Sequence, residues 1–327
     1  MPTPSSPNLG RLVFKKTFVA SVIALALVIA GCSDDAPGAT TAVVPSGETA
    51  ASTTPDFPRD VLGVTIPARP ERIVSASATH TEMIYALGAG DRVVAVDMFS
   101  DYPAEVADRP KIDAFNLNLE AVAAFDPDLV ILSFDPGDAA AGLAELGIPV
   151  ILFPTAPATL QDAYDEMTAI GAAVGADRAA AGLVAALEAE VAGLVADIPV
   201  GDGESPTYYH ELGEDLYSIT SNTFIGSIYS LAGLRNIADP ADDTGSGYPQ
   251  LSAEYILQAD PDFIFLADTV CCGQSAATLA GRPGWETLTA VREGRVIELD
   301  DDVASRWGPR IVDFLRTVTT AAYAGTG

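Results

Sequence analysis

The sequence is poor in cysteine, histidine, positive charge and aromatic rings. Of 327 residues, three are Cys, two are His and 17 are Lys or Arg, against 45 Asp or Glu. The formal net charge of −28 repels phosphate backbones and excludes nucleic acid as a natural partner. Two histidines are few for a transition-metal centre. Beyond Cys32, the only cysteines are the adjacent Cys271 and Cys272, so no disulfide can staple distant segments within the body of the chain. Gly-x-Ser-x-Gly, His-Glu-x-x-His and Gly-x-x-x-x-Gly-Lys are all missing, and with them the usual signatures of hydrolases, metalloproteases and nucleotide hydrolysis. A hydrophobic fraction of 49% nonetheless supplies ample material for a core.

What is present begins at the N-terminus. Arg11, Lys15 and Lys16 precede an apolar run from Phe18 to Ala30, too short to span a bilayer comfortably. That is the pattern of a signal peptide. The run ends Ile29-Ala30-Gly31-Cys32, which resembles a bacterial lipobox. The resemblance implies cleavage before Cys32 and diacylglycerol on its thiol. Two acyl chains suffice for stable anchoring where one is marginal. No later apolar run in the sequence approaches 18 residues.

Residues 33–58 are rich in Ala, Thr, Pro, Ser and Gly without periodicity, the composition of a flexible tether. From there the pattern alternates. Strands are expected at Arg72–Ala76, Val93–Val96, Leu129–Leu132, Val150–Phe153, Thr207–Glu211, Phe263–Leu266 and Arg295–Leu299. Helices are expected at Met83–Leu87, Asn118–Phe125, Leu143–Leu146, Phe224–Ala232, Ala253–Ala259 and Pro309–Tyr323. Thr79-x-x-Glu82 reads as a helix-opening box and Gly88 as a C-terminal stop. The stretch from Leu160 to Ala196 is Ala-rich and helical, with a break at Gly175 and one long helix over Asp177–Ala196. Strands alternating with helices predict an α/β fold with mainly parallel sheets.

An internal echo divides the chain. Glu120-Ala-Val-Ala-Ala-Phe-Asp-Pro-Asp-Leu-Val-Ile-Leu repeats in kind at 254–266, offset by 134 at every position. In each copy the proline ends a helix and an apolar run enters a sheet. Two Rossmann-like lobes joined by one long α-helix are therefore expected, with a ligand cleft between them. The expected division is a signal peptide over 1–31, a lipidated tether over 32–58, an N-terminal lobe over 59–158, a connecting helical segment over 159–199 and a C-terminal lobe over 200–327.

A series of short pieces then carries a family resemblance. Pro70-Glu-Arg-Ile-Val-Ser, Thr81-Glu82, Leu87-Gly-Ala-Gly-Asp-Arg-Val-Val and Asn118-Leu-Glu-Ala lie in order. They are followed by Asp126-Pro-Asp, Leu146-Gly-Ile-Pro-Val, Leu251-Ser-Ala-Glu, Asp260-Pro-Asp, Pro283-Gly-Trp and Ala290-Val-Arg-Glu-Gly-Arg-Val. Together they resemble the helical-backbone substrate-binding proteins of ABC importers for ferric siderophores, haem and cobalamin, over about residues 60 to 322. The resemblance implies a monomeric, membrane-anchored, extracytoplasmic receptor that catalyses nothing and holds no cofactor. It would deliver a ferric siderophore, or a related bulky chelate, to a permease driven by a separate ATPase. Cobalamin and haem are the alternatives.

The resemblance suggests one pair of roles, and the loops that follow the strands supply the other candidates. Glu82 and Glu254 match the glutamates that dock on permease arginines, although both also suit helix capping. In the cleft, Arg306 and Trp307 are candidates to grip a carboxylate and stack on a planar group. Tyr209, His210 and Tyr217 flank the first strand of the second lobe, and Ser77, His80, Phe99, Tyr102, Asn116 and Phe134 occupy first-lobe loops. Cys271 and Cys272 follow a strand on the cleft side and can bridge each other into a rigid turn or stay reduced. Three other readings are weaker. His80, His210 and Glu211 could ligate a bare metal ion, the scaffold could carry a surface enzyme, or the tethered domain could serve adhesion. Leu87-Gly-Ala-Gly-Asp-Arg-Val-Val precedes a strand instead of following one, so it is a helix stop and not a dinucleotide loop.

Overall fold

A computed structural model describes residues 56–199 and 204–323. The signal segment, Cys32 and most of the tether lie outside the described residues. A short antiparallel hairpin, β1 (Arg59–Val61) and β2 (Val64–Ile66), opens the folded chain. Its turn is Leu62-Gly63, both at positive φ, as a two-residue hairpin with right-handed strand twist demands.

The first lobe runs β3 (Ile73–Ala76), α1 (Ala78–Ala86), β4 (Val93–Asp97), β5 (Lys111–Ile112), α2 (Leu119–Ala123), β6 (Leu129–Leu132), α3 (Ala139–Glu145) and β7 (Val150–Leu152). Its sheet has the order β5-β4-β3-β6-β7, and every pairing is parallel. β3 and β6 are buried along their whole length, because helices cover both faces of a parallel sheet. Alternate residues serve opposite sides: Ile73 and Ile131 enter one core, Val74 and Val130 the other.

Two helices follow, α4 (Leu160–Val174) and α5 (Asp177–Ala196). Thr159 and Asp162 form a capping box at the start of α4. Gly175, at φ 69°, ends it in the left-handed conformation that reverses the chain at the expected break. α5 is long and apolar enough to cross a membrane by length and composition, a correction to the expectation that no later stretch approaches that character. In the fold its stripe packs instead on protein. Leu183, Val184 and Leu187 reach the first-lobe core, and Val191 and Val195 the second. One helix thus lies against both lobes.

The second lobe runs β8 (Thr207–Glu211), α6 (Phe224–Leu231), β9 (Arg235–Asn236), α7 (Ala253–Ala259), β10 (Phe263–Leu266), α8 (Thr269–Cys272), α9 (Ala276–Ala280), α10 (Thr289–Arg292), β11 (Val296–Glu298), α11 (Asp301–Ser305) and α12 (Ile311–Tyr323). Its parallel sheet has the order β9-β8-β10-β11, the same topology as β4-β3-β6-β7.

The echo has a structural reason. The last Asp of each Asp-Pro-Asp pins the neighbouring strand. Asp128 accepts from the amides of Glu71 and Arg72 at the foot of β3, and Asp262 from the amide and hydroxyl of Thr207 at the foot of β8. The first Asp of each motif, Asp126 and Asp260, adopts positive φ where the helix stops.

Three local expectations need correction. α1 begins at Ala78 and is capped by Ser77, so Thr79 is not its cap and Glu82 lies mid-helix. α2 spans five residues rather than eight. β1, β2, β5 and β9 were not anticipated, since strands of two or three residues are too short to show a period.

Candidate ligand-binding cleft

In open parallel sheets, ligands bind outside the carboxyl ends of the strands where the strand order reverses. Here those points lie between β3 and β6 in one lobe and between β8 and β10 in the other. The loops leaving these ends carry the candidate residues.

The first-lobe rim is aromatic. Phe99 follows β4 and Phe115 follows β5; they are 57% and 60% exposed, and their rings meet edge to face at 5.9 Å. Half-buried Phe134, after β6, lies 5.2 Å from Phe115. Asp113 fixes the Phe115 loop by accepting from the amides of Phe115 and Asn116 and from the Asn116 side chain. These bonds hold the Asp113 carboxyl below its ordinary range, the Asn116 side chain contributing most. Large exposed rings held in one patch cost hydration free energy and mark a binding surface. On the second lobe, Tyr217 and Tyr248 are exposed on two loops joined by Ser218 N–H to Pro249 O and Leu251 N–H to Leu216 O.

Between the rims lies a charged junction. Arg306, at the end of α11, is buried, and its guanidinium donates to Glu82 (2.9 Å), Asp101 (2.8 Å), Asp302 (2.5 Å) and the carbonyl of Phe99 (2.9 Å). Arg310 donates two further bonds to Glu82, at 2.6 and 3.0 Å. Trp307 packs against both lobes' cores and donates from Nε1 to Glu166 of α4 at 2.7 Å. The segment 306–310 therefore ties the C-terminal lobe to the N-terminal one. Burial beside Asp101 pushes the Asp302 carboxyl up to about 6, while Arg306 and Asp302 together hold Asp101 below its ordinary range against the effect of burial.

Beneath the second-lobe rim sits a second buried network. Arg282 donates to both oxygens of Glu211 at the end of β8, at 2.6 and 2.7 Å, and also to Gln274. Asp268, just after β10, is fully buried, and neither of its carboxylate oxygens has a hydrogen-bond partner. Burial first, then the charge of Glu211, raise its pKa to about 7.

Several expected roles do not survive this geometry. Glu82 is 2% exposed and held by two arginines, so it is not the accessible carboxylate that docking requires. Arg306 is engaged in the interlobe junction and is not poised for a ligand carboxylate. Tyr209 and His210 are completely buried. Tyr209 lies near Trp285, and His210 bonds the Tyr229 hydroxyl at 2.9 Å, with burial driving its pKa down to about 3. His80 is buried between Phe153 and Glu166, and Ser77 is occupied in capping α1. Tyr102 lies under the Arg310 guanidinium, beside a hollow of about 470 Å³ bordered by Glu82 and Glu105. The geometry brings Phe99, Phe134, Asn116 and Tyr217 to the rims. Among the described residues no group of three or more His, Cys, Asp or Glu is arranged to hold a metal ion, so His80, His210 and Glu211 do not converge.

Sequence reasoning missed Phe115, Tyr248 and Glu120. The echo held the signal for the last: Glu120 and Glu254 differ by 134, and both are exposed in the first turns of α2 and α7.

Comparison with known proteins agrees with this architecture. The periplasmic binding protein family model matches residues 73–303. An uncharacterised ABC transporter substrate-binding lipoprotein of Bacillus subtilis, YvrC, is 29% identical over 94% of this chain and 96% of its own. A cobalamin-binding protein of Halobacterium salinarum is 32% identical over 80% of this chain and 72% of its own. The crystal structure of the Vibrio cholerae vitamin B12-binding protein BtuF superposes with a TM-score of 0.66 at 25% identity, covering 80% of this chain and 99% of that one. With two parallel-sheet lobes, a helix packed on both and these relatives, the chain belongs to the periplasmic binding protein family and is a substrate-binding protein of an ABC transporter.

Proposed function

We propose that this protein captures a corrinoid of the cobalamin class outside the cytoplasm and delivers it to an ABC permease. The observation that carries the reading is the pair of aromatic rims: Phe99, Phe115 and Phe134 on one lobe, Tyr217 and Tyr248 on the other. Such rims suit a bulky ligand with wide apolar faces. Charge supports the same choice. Arg306, Arg310 and Arg282 are already paired with carboxylates, and the chain is strongly acidic. A multiply anionic ferric catecholate or a haem with two propionates finds little complement there, whereas cobalamin carries no net negative charge at the corrin. The names of the Halobacterium and Vibrio relatives point the same way. The ferric siderophore first expected remains a second reading in its neutral or cationic hydroxamate form.

Glu120 and Glu254 replace Glu82 and Glu254 as the docking pair. They are exposed, related by the internal repeat and placed one per lobe, so a two-fold basic permease surface would meet both. Cys32 carries the lipid anchor in this reading, after a lipobox-like Ile-Ala-Gly; acyl labelling lost in Cys32→Ser tests it.

Calorimetric titration tests the ligand. Cyanocobalamin, ferrioxamine, a ferric catecholate, haem and divalent metals are offered in turn. Sub-micromolar binding of cyanocobalamin alone is expected. Binding of the hydroxamate without cyanocobalamin would transfer the assignment to siderophores, and binding of a free metal alone would overturn it.

A further inference from the structure

The turn that follows β10 in the second lobe is built unlike an ordinary helix start. Val270, Cys271 and Cys272 are all exposed, Val270 at 77%, and the two cysteines are joined as a vicinal disulfide. A bridge between neighbours closes almost no chain, so it adds little to the stability of the fold. It also links no two elements. What it does is replace two rotatable thiols with one compact apolar ring on an exposed turn.

That turn is pinned. The Asp301 carboxylate accepts from the amides of Thr269 (2.9 Å), Val270 (3.2 Å) and Cys271 (2.6 Å), and Gly273 closes the turn at φ 74°. The next residue, Asp302, binds Arg306, whose other bonds include the carbonyl of Phe99. Cys271 and Phe99 therefore hang from the two ends of one short chain of polar contacts that crosses the lobe junction. An exposed, rigid, apolar turn on one lobe is thereby held at a set distance from an exposed phenylalanine patch on the other.

We propose that Val270 and the Cys271–Cys272 ring form an apolar jaw of the second lobe, closing on one face of the ligand that the Phe99–Phe115 patch meets from the other lobe. This rests on the receptor reading above and adds the surface that contacts a bulky, apolar-faced chelate. The rigid ring loses little conformational freedom when a ligand seats on it, so its burial translates into affinity.

The test is calorimetric titration of the full-length protein and three variants with cyanocobalamin, and with ferrioxamine if that is the chelate bound. In Cys271→Ser/Cys272→Ser the Asp301 cap is retained and the ring is removed. Val270→Asp places a charge on the jaw at a largely exposed position. Phe99→Ala reports on the opposite patch. Kd is expected to rise about tenfold or more in both jaw variants, the equivalent of losing one well-buried apolar contact, with unchanged melting temperatures. Wild-type affinity in both jaw variants, alongside a loss in Phe99→Ala, overturns the jaw and leaves the receptor reading intact. Failure of the wild-type protein to bind either chelate overturns the ligand assignment above, and the jaw with it.

Discussion

Asp268 offers the most quantitative check of the structure. Its carboxyl is fully buried at the root of the second-lobe rim, has no hydrogen-bond partner and faces the charge of Glu211, so its pKa is raised to about 7. A carboxyl raised in the folded state binds more protons there than in the unfolded chain, where its value is about 3.9. Folding is then favoured by acid: stability is highest below the unfolded value and falls as pH rises through the folded one. Between about pH 5 and pH 8 the loss from this single group works out at about 2.5 kcal/mol. Asp268→Asn keeps the shape, cannot ionise and has an amide that can donate toward Glu211. Urea unfolding of both proteins at the two pH values isolates the effect. The stability difference, variant minus wild type, should grow by about 2–3 kcal/mol from pH 5 to pH 8. Parallel pH dependences for the two proteins would refute the burial and the shift alike.

Other outcomes follow from the same structure. Arg306→Ala leaves Glu82 buried with Arg310 alone and cuts the tie to Phe99; a loss of about 2–3 kcal/mol in denaturant unfolding is expected. Phe99→Ala with Phe115→Ala should weaken chelate binding by about a hundredfold by calorimetry while the melting temperature holds, because both rings are exposed. Glu120→Ala with Glu254→Ala should lower cellular uptake and leave chelate affinity unchanged; lost affinity would put the carboxylates in the cleft. His210, held neutral with a pKa near 3, resists protonation in the fold, so stability should drop as pH falls below about 6.5, and His210→Phe should flatten that limb of the profile.

The echo at 120–132 and 254–266 was enough to read two related lobes, because Asp-Pro-Asp ends a helix and starts a buried strand by local backbone chemistry alone. The same is true of Gly175, whose left-handed cap follows from having no Cβ. Fully apolar runs such as Leu129–Leu132 and Phe263–Leu266 declared strands covered on both faces. The sequence thus determined the fold class and the long helix over 177–196. It could not determine which loop residues face the cleft. His80, Tyr209 and His210 look like ligand-contacting residues by type and place, yet each points into a core: Tyr209 and His210 lie within β8, whose two faces are both covered, and His80 lies on the buried face of α1. Glu82 looked like a surface carboxylate because its partners, Arg306 and Arg310, lie more than 220 residues away in sequence. Only the tertiary structure brings that charge and those guanidinium groups together, and only there do Phe99, Arg306, Asp301 and the cysteine turn become parts of one junction between the lobes.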